Sequence, residues 1–254
     1  MRDLTIFGLD NLGQIRPGEN IAELIFEKSR ERNLILCDGD LVVISQKIVS
    51  KADGLVVDVS RITPSRRAKR LGKLTKKDPR VLELILRDSK TILRAATQAL
   101  VVQRKDGLIC LNAGVDKSNV EGHYVYSRLP PNSNLSANKI LSRLEELSGR
   151  RLAVVIADTY SRPFRVGQVE FAIGIAGMEP IVDYRGSQDM FGYNLRYKYV
   201  ALADEAAAAA ELVMGQGTEH TPIAIIRGLD RMKRSLDRNL SKKLLLGRRL
   251  DLFR

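Results

Sequence analysis

The chain has 254 residues, enough for one large domain or two small ones, and its 44% apolar content suits a globular protein with a sizeable core. Lys and Arg number 42 against 30 Asp and Glu, and the formal charge of +12 calls for an anionic partner (nucleic acid, nucleotide, polyacidic metabolite or acidic surface) without choosing among them. Two unspaced cysteines, two distant histidines, no apolar run near eighteen residues and a start, Met1-Arg2-Asp3-Leu4, unlike a signal peptide argue against a disulfide scaffold, a zinc site and a membrane span; they predict a soluble cytoplasmic protein with no membrane partner.

Leu4 to Gly8 reads as a first strand, followed by a loop, Asp10 to Ile15, that is either a plain connector or a backbone contact for a ligand. Asn20 caps a helix whose apolar face is Ile21, Leu24 and Ile25. Asp38-Gly39-Asp40 turns the chain into a strand, Leu41 to Ile44. The next stretch, Ser45 to Gly54, reads either as lysines and serines placed to hold phosphates or as a polar edge strand guarded by lysines. Val56-Val57 is a short partner strand. Thr63-Pro64-Ser65 starts a strongly basic helix, and Asp78-Pro79 starts another that buries Val81, Leu82, Ile85 and Leu86. Thr91 to Gln103 supplies one or two strands, and Lys105-Asp106-Gly107 turns into the strand Leu108 to Leu111.

That strand stops at Asn112-Ala113-Gly114, with Asp116 and Asn119 on the exit loop. These residues either close Asx turns or offer oxygens to a hard cation or a metal-bound phosphate. Leu129 to Asn134 is a loop, and a domain boundary is expected near 129–136. Ser136 is the expected cap of a helix carrying Ile140, Leu141 and Leu144 and ending at Ser148-Gly149. Leu152 to Ala157 reads as a buried strand with Asp158-Thr159 at its exit, where α/β proteins place ligands. Arg162 and Arg165 follow, suited to clamping anionic oxygens.

Val169 to Ile175 is a further apolar strand, and Asp183 to Tyr193 is polar. Asp204 is the expected cap of an alanine-rich helix to Val213, and Met214 to Thr221 reads as a helix stop whose glycines also permit close ligand approach. Pro222 to Ile226 is a last buried strand. The segment 227–254 carries ten Lys or Arg against three Asp and reads as a solvated basic helix, with nucleic-acid binding as the competing reading. Aromatic residues do not interleave with it, so base-stacking platforms are not evident and a nucleic-acid partner is not expected. The usual phosphate-binding fingerprints are absent: Gly8 and Gly13 have the P-loop spacing but Gln14 follows, and Gly215-x-Gly217 lacks a third glycine.

Four motifs in order, Ser50-Lys51-Ala52-Asp53-Gly54, Asn112 to Asn119, Asp158-Thr159 through Arg162-Pro163-Phe164-Arg165, and Gly167-Gln168, resemble those of the γ-glutamyl ligase that adds L-glutamate to the coenzyme F420-0 precursor. The resemblance runs from the first strand to about Arg227. It implies a mixed α/β (α+β) subunit of two structural subdomains within 1–226, an added basic segment at 227–254, and an intertwined homodimer. It implies a GTP-dependent acid–amino-acid ligase with two divalent cations, Mg2+ or Mn2+, and K+. GTP phosphorylates the terminal carboxylate of the precursor, and the glutamate amine then displaces phosphate. By position, Asp116, Asp158, Thr159 and Gln216 would ligate metal, and Asp116, Asp158, Lys51 and Arg162 would serve catalysis. The GTP site would be lined by Leu12, Gly13, Gln14 and Ile15, by Gln46, Lys47, Lys51 and Asn119, and by Met214, Gly215, Gln216, Gly217, Thr218, Glu219, His220 and Thr221. Two positions depart from the family pattern: Gln216 offers a carbonyl where a charged glutamate can stand, and Ser161 replaces a frequent glycine. Read without the resemblance, the same residues also fit another amide-forming or phosphoryl-transfer enzyme, and the basic tail a nucleic-acid binder.

Overall fold

The computed structural model describes residues 3–251; residues 1 and 2, and the last three of the basic segment, 252–254, lie outside the described residues. The described residues form two compact units: residues 3–13, 20–45 and 133–244 make the first, and residues 14–19, 46–132 and 245–251 the second.

The first unit opens with β1 (Thr5–Leu9), α1 (Ile21–Glu31) and β2 (Leu41–Ser45). Asn20 caps α1 as expected, its side-chain oxygen accepting from the amides of Ala22 and Glu23. The chain then builds the second unit with α2 (Gln46–Ala52), β3 (Val56–Asp58), α3 (Arg66–Thr75), α4 (Pro79–Asp88), β4 (Ser89–Ala96), β5 (Ala99–Arg104), β6 (Ile109–Leu111) and β7 (Val125–Ser127). It returns to the first with α5 (Ser133–Ser148), β8 (Ala153–Ser161), β9 (Gln168–Met178), β10 (Val182–Asp183), β11 (Tyr199–Val200), α6 (Leu202–Met214), β12 (Ile223–Arg227) and β13 (Arg234–Ser235).

The first unit is a six-stranded mixed sheet in the order β1-β12-β2-β8-β9-β13. Its β2–β8 pair is parallel, in register from Leu41 opposite Ala153 to Ser45 opposite Ala157. A parallel pair needs a long crossover; here it consists of residues 46–132 and α5. Leu41 to Ile44 are all fully buried, as befits a strand covered on both faces. The alanine face of α6 (Ala203, Ala206, Ala207, Ala210) lies on Val43, Val155 and Ala224, with no side-chain bulk to hold the helix away. Helix α5 packs on β8 and β9. There the backbone of Ser133 sits so close to Gly174 that any side chain at 174 would collide with it. Asp40, fully buried, is held by a bidentate pair with Arg227 at 2.8 Å to each oxygen.

The second unit packs α3 and α4 over the antiparallel sheet β4-β5-β6. Asp78-Pro79 starts α4, as the sequence predicts, whereas α3 is capped by Ser65 and begins at Arg66, so Pro64 stands before the helix rather than in its first turn. Leu82 and Ile85 are fully buried and contribute roughly 1.5–3 kcal/mol each by burial.

The structure corrects several expectations. Residues 46–52 are a helix, and β2 before them is a central strand, so the edge-strand reading fails. The strand ending expected at Ala157 continues: Asp158 lies inside β8, opposite Phe171. Helix α5 begins at Ser133, before the expected Ser136 cap. Asp204 does not cap α6; its carboxylate accepts instead from the amide of Ala172 at 3.0 Å. The described part of the basic segment forms no α-helix but β13 and a short 3-10 turn at Leu240–Leu244. Its apolar residues 229, 232, 240 and 244 are spaced for a helix, but pairing of Arg234 and Ser235 with β9 satisfies the backbone instead. Among the described residues no helix is long and apolar enough to cross a membrane.

Candidate functional site

In the second unit the residues gather around Asp116. Arg104, almost fully buried on β5, donates to the carbonyls of Ala113 and Pro130, each at 3.0 Å, and its Nε donates to Asp106 at 3.1 Å. The turn so anchored has positive φ at Asn112, Ala113 and Gly114, and the chain leaves it toward Asp116. Asp116 bridges β7 through reciprocal backbone bonds with Ser127, which fixes its backbone. Helix α2 places Lys47 on the Asp116 carboxylate, and the same ammonium donates to Ser127 Oγ at 3.0 Å. The Ser118 hydroxyl and amide also donate to Asp116. Burial pushes the Asp116 carboxyl up, but the hydrogen bond and charge of Lys47, with the Ser118 donors, outweigh it and hold the group below its ordinary value.

Lys51, one turn after Lys47, is pulled below its ordinary value by burial and by the charge of Lys47. Lys47 and Lys51, four residues apart on α2, place two ammonium groups on one helix face. Gln46 is buried and receives the Ser50 hydroxyl at 3.0 Å, so its side chain is engaged within the helix. Gln14 reaches Glu121 at 3.3 Å, Ile15 is buried, and Asn119 holds positive φ on the loop after Asp116.

In the first unit the residues gather where β8, β9 and the turn after α6 meet. Gly215 ends α6 with φ +67 and ψ −179, a conformation essentially reserved for glycine. The turn is closed by Glu219, whose carboxylate accepts from the Gly217 amide at 2.7 Å, and Thr221 Oγ1 donates to the Glu219 carbonyl at 3.0 Å. Asn11, next to Leu12 and Gly13, donates its amide to the His220 carbonyl at 3.2 Å, which ties the first loop to the segment 214–221. Met214 is buried in the α6 core and Thr218 is exposed on the turn.

Gln216 lies against Thr159, with 3.0 Å between Oε1 and Oγ1. Behind both stands Glu170, directly opposite Thr159 in the β8–β9 register and 5% exposed. Its Oε1 receives the Thr159 hydroxyl at 2.8 Å and the Gln216 amide at 2.7 Å, while its Oε2 is buried without a hydrogen-bond partner. Burial pushes the Glu170 carboxyl up, the charge of Glu211 adds to this, and the hydrogen bonds from Gln216 and Thr159 oppose it. Asp158 precedes Thr159 on β8. Arg162 donates to the Val166 carbonyl at 3.3 Å, and its buried Nε has no hydrogen-bond partner.

Sequence reasoning missed Arg104 and Glu170. For Glu170 the available signal was a carboxylate in an otherwise apolar strand. Among the described residues no three His, Cys, Asp or Glu side chains cluster. The donor sets are hydroxyl, amide and carboxylate oxygens, the chemistry of Mg2+ or Mn2+ rather than of zinc. The orphaned Oε2 of Glu170 is a buried acceptor of the kind a hard cation satisfies, so the residues fit such an ion.

Comparison with known proteins gives a consistent result. The profile of the family F420-0:Gamma-glutamyl ligase matches residues 11–228. The coenzyme F420:L-glutamate ligase of Methanothermobacter thermautotrophicus is 42% identical over 251 residues, 99% of each chain. That of Methanopyrus kandleri is 44% identical over 216 residues, 85% of this chain and 83% of the relative. That of Methanocaldococcus jannaschii is 40% identical over 229 residues, 89% of this chain and 88% of the relative.

Proposed function

From the premise that the chain belongs to the F420-0:gamma-glutamyl ligase family, as its match over residues 11–228 shows, we propose that it joins L-glutamate to coenzyme F420-0 through a γ-linked amide at the expense of GTP. The observation that carries this reading is 42% identity over 99% of both chains to a relative named coenzyme F420:L-glutamate ligase. The side chains are consistent with it. An amine does not displace hydroxide from a carboxylate at neutral pH, so the acid needs activation. In the proposed reaction a carboxylate oxygen of the precursor attacks the γ-phosphorus of GTP, and the bond to the β-phosphate oxygen breaks to release GDP. The glutamate nitrogen then attacks the acyl carbon, inorganic phosphate leaves with the carboxylate oxygen, and the amine gives up a proton.

Phosphoryl transfer needs charge neutralisation and positioning more than covalent help. Lys51 and Arg162 are assigned to the phosphate oxygens. The nucleotide is assigned to Leu12 through Ile15, Gln46, Lys47, Asn119 and Met214 through Thr221, where the glycines let backbone approach a ligand. Asp116 and Asp158, with Thr159 and Gln216, are assigned to two Mg2+ or Mn2+ ions, and K+ is a further expected ion. The divalent ions, when bound, neutralise the triphosphate and the charge that develops on its oxygens. We also read the protein as a homodimer. The hairpin between β10 and β11 exposes Met190 and Phe191 at 93% and Tyr197 at 87%, side chains suited to burial against a second copy.

The test is purified protein with coenzyme F420-0, L-glutamate, GTP and Mn2+, followed by mass analysis. A glutamyl increment with matching GDP is the expected result. GTP consumption coupled only to a different acid and amine would transfer the assignment to another amide-forming reaction.

A further inference from the structure

Thr159 Oγ1 lies 2.8 Å from Glu170 Oε1 and 3.0 Å from Gln216 Oε1. A hydroxyl carries one proton and can serve only one of these acceptors. With Glu170 ionised, three oxygens therefore converge with one proton too few, beside a fourth, Glu170 Oε2, that has no hydrogen-bond partner among the described residues. The Gln216 amide is oriented by the same carboxylate: its Nε2 donates to Glu170 at 2.7 Å, which turns its carbonyl toward Thr159. A carboxylate 5% exposed and hydrogen-bonded only by Thr159 and Gln216 holds its charge at a cost that a cation would offset.

We propose that Glu170 is the positioning residue and charge donor of the cation site formed by Thr159 and Gln216, holding the Gln216 carbonyl in place and supplying the negative charge that neither of those two side chains carries. The inference rests on the cation reading above and deepens it. Hydroxyl and amide oxygens alone bind a divalent ion weakly. A buried carboxylate within hydrogen-bond distance of both orients them and adds the electrostatic term, and the ion in turn supplies the missing counter-charge.

The test is Mn2+ binding, read from the free-ion paramagnetic resonance signal with a non-hydrolysable GTP analogue present. The proteins are the wild type, Glu170→Gln and the exchange variant Glu170→Gln/Gln216→Glu. Glu170→Gln removes the charge at constant volume and is expected to weaken one Mn2+ site about ten- to a hundred-fold while leaving the other. The exchange keeps an amide–carboxylate hydrogen bond between the two positions with its direction reversed, returns the charge, and is expected to restore that site. Wild-type affinity in Glu170→Gln overturns the proposal. So does an exchange variant that melts like the wild type yet does not regain the site, which would assign the loss to packing. Wild-type protein that binds no Mn2+ beyond the analogue alone is a different result and overturns the cation reading itself.

Discussion

Replacing Arg104 by Met tests how the second unit holds Asp116. Methionine keeps most of the volume and the unbranched stem but removes the guanidinium fork. Two carbonyls, of Ala113 and Pro130, lose their 3.0 Å donors, and both residues are buried. Each buried acceptor left unpaired costs about 1–3 kcal/mol. The third partner, Asp106, is 28% exposed at its side chain and resolvates. The two carbonyls together set an expected loss of about 3 kcal/mol, and at about 2–4 °C per kcal/mol for a chain of this size the melting temperature should fall by roughly 6–12 °C. Arg104→Lys keeps the charge but lacks the fork and should recover only part of this. The assay is thermal unfolding followed by circular dichroism in EDTA. A drop of under about 2 °C in Arg104→Met, below what even one lost acceptor implies, would refute the view that this fork holds the turn.

Other outcomes follow from the same geometry. Asp116→Asn and Asp158→Asn should each abolish ligation and leave the circular dichroism spectrum unchanged; wild-type-like rates in either would remove that residue from the site. In EDTA, the stabilisation Asp116 draws from Lys47 should depend on pH. Its carboxyl is held below the ordinary value in the folded protein, so the advantage over Asp116→Asn is present above about pH 4 and fades as pH falls through the folded value; a pH-independent difference in melting temperature would contradict it. Lys51 has a lowered value, so GTP affinity should weaken at a lower pH than an ordinary lysine allows, and Lys51→Arg should shift that loss upward in a fluorescence titration. Gly215→Ala should destabilise by about 1–3 kcal/mol, because the conformation at 215 is essentially closed to residues with a Cβ. A neutral effect in chemical denaturation would show that the turn relaxes.

Much of this was legible in the chain because short-range chemistry governed it. Asn20 and Asp78-Pro79 mark their helices through capping alone. Leu41 to Ile44 announces a buried strand by continuous branched apolar residues. Long-range features were not legible. Residues 46–52 carry too few apolar positions to show a helical period, yet they form α2. The basic segment has a helical period and gives it up to pair with β9. Glu170 became visible only through the β8–β9 register, which sets it opposite Thr159, and Arg104 only through the return of the chain at Ala113 and Pro130. Asp204 looked like a cap by position, but an amide on β9 drew its side chain away.

The most direct measurement of the proposed chemistry uses coenzyme F420-0 labelled with oxygen-18 in its terminal carboxylate, incubated with the protein, L-glutamate, GTP and Mn2+. If the acid is activated by phosphorylation, one labelled oxygen should pass to each inorganic phosphate released, in step with amide formation. Glutamylated product alongside unlabelled phosphate would contradict the account.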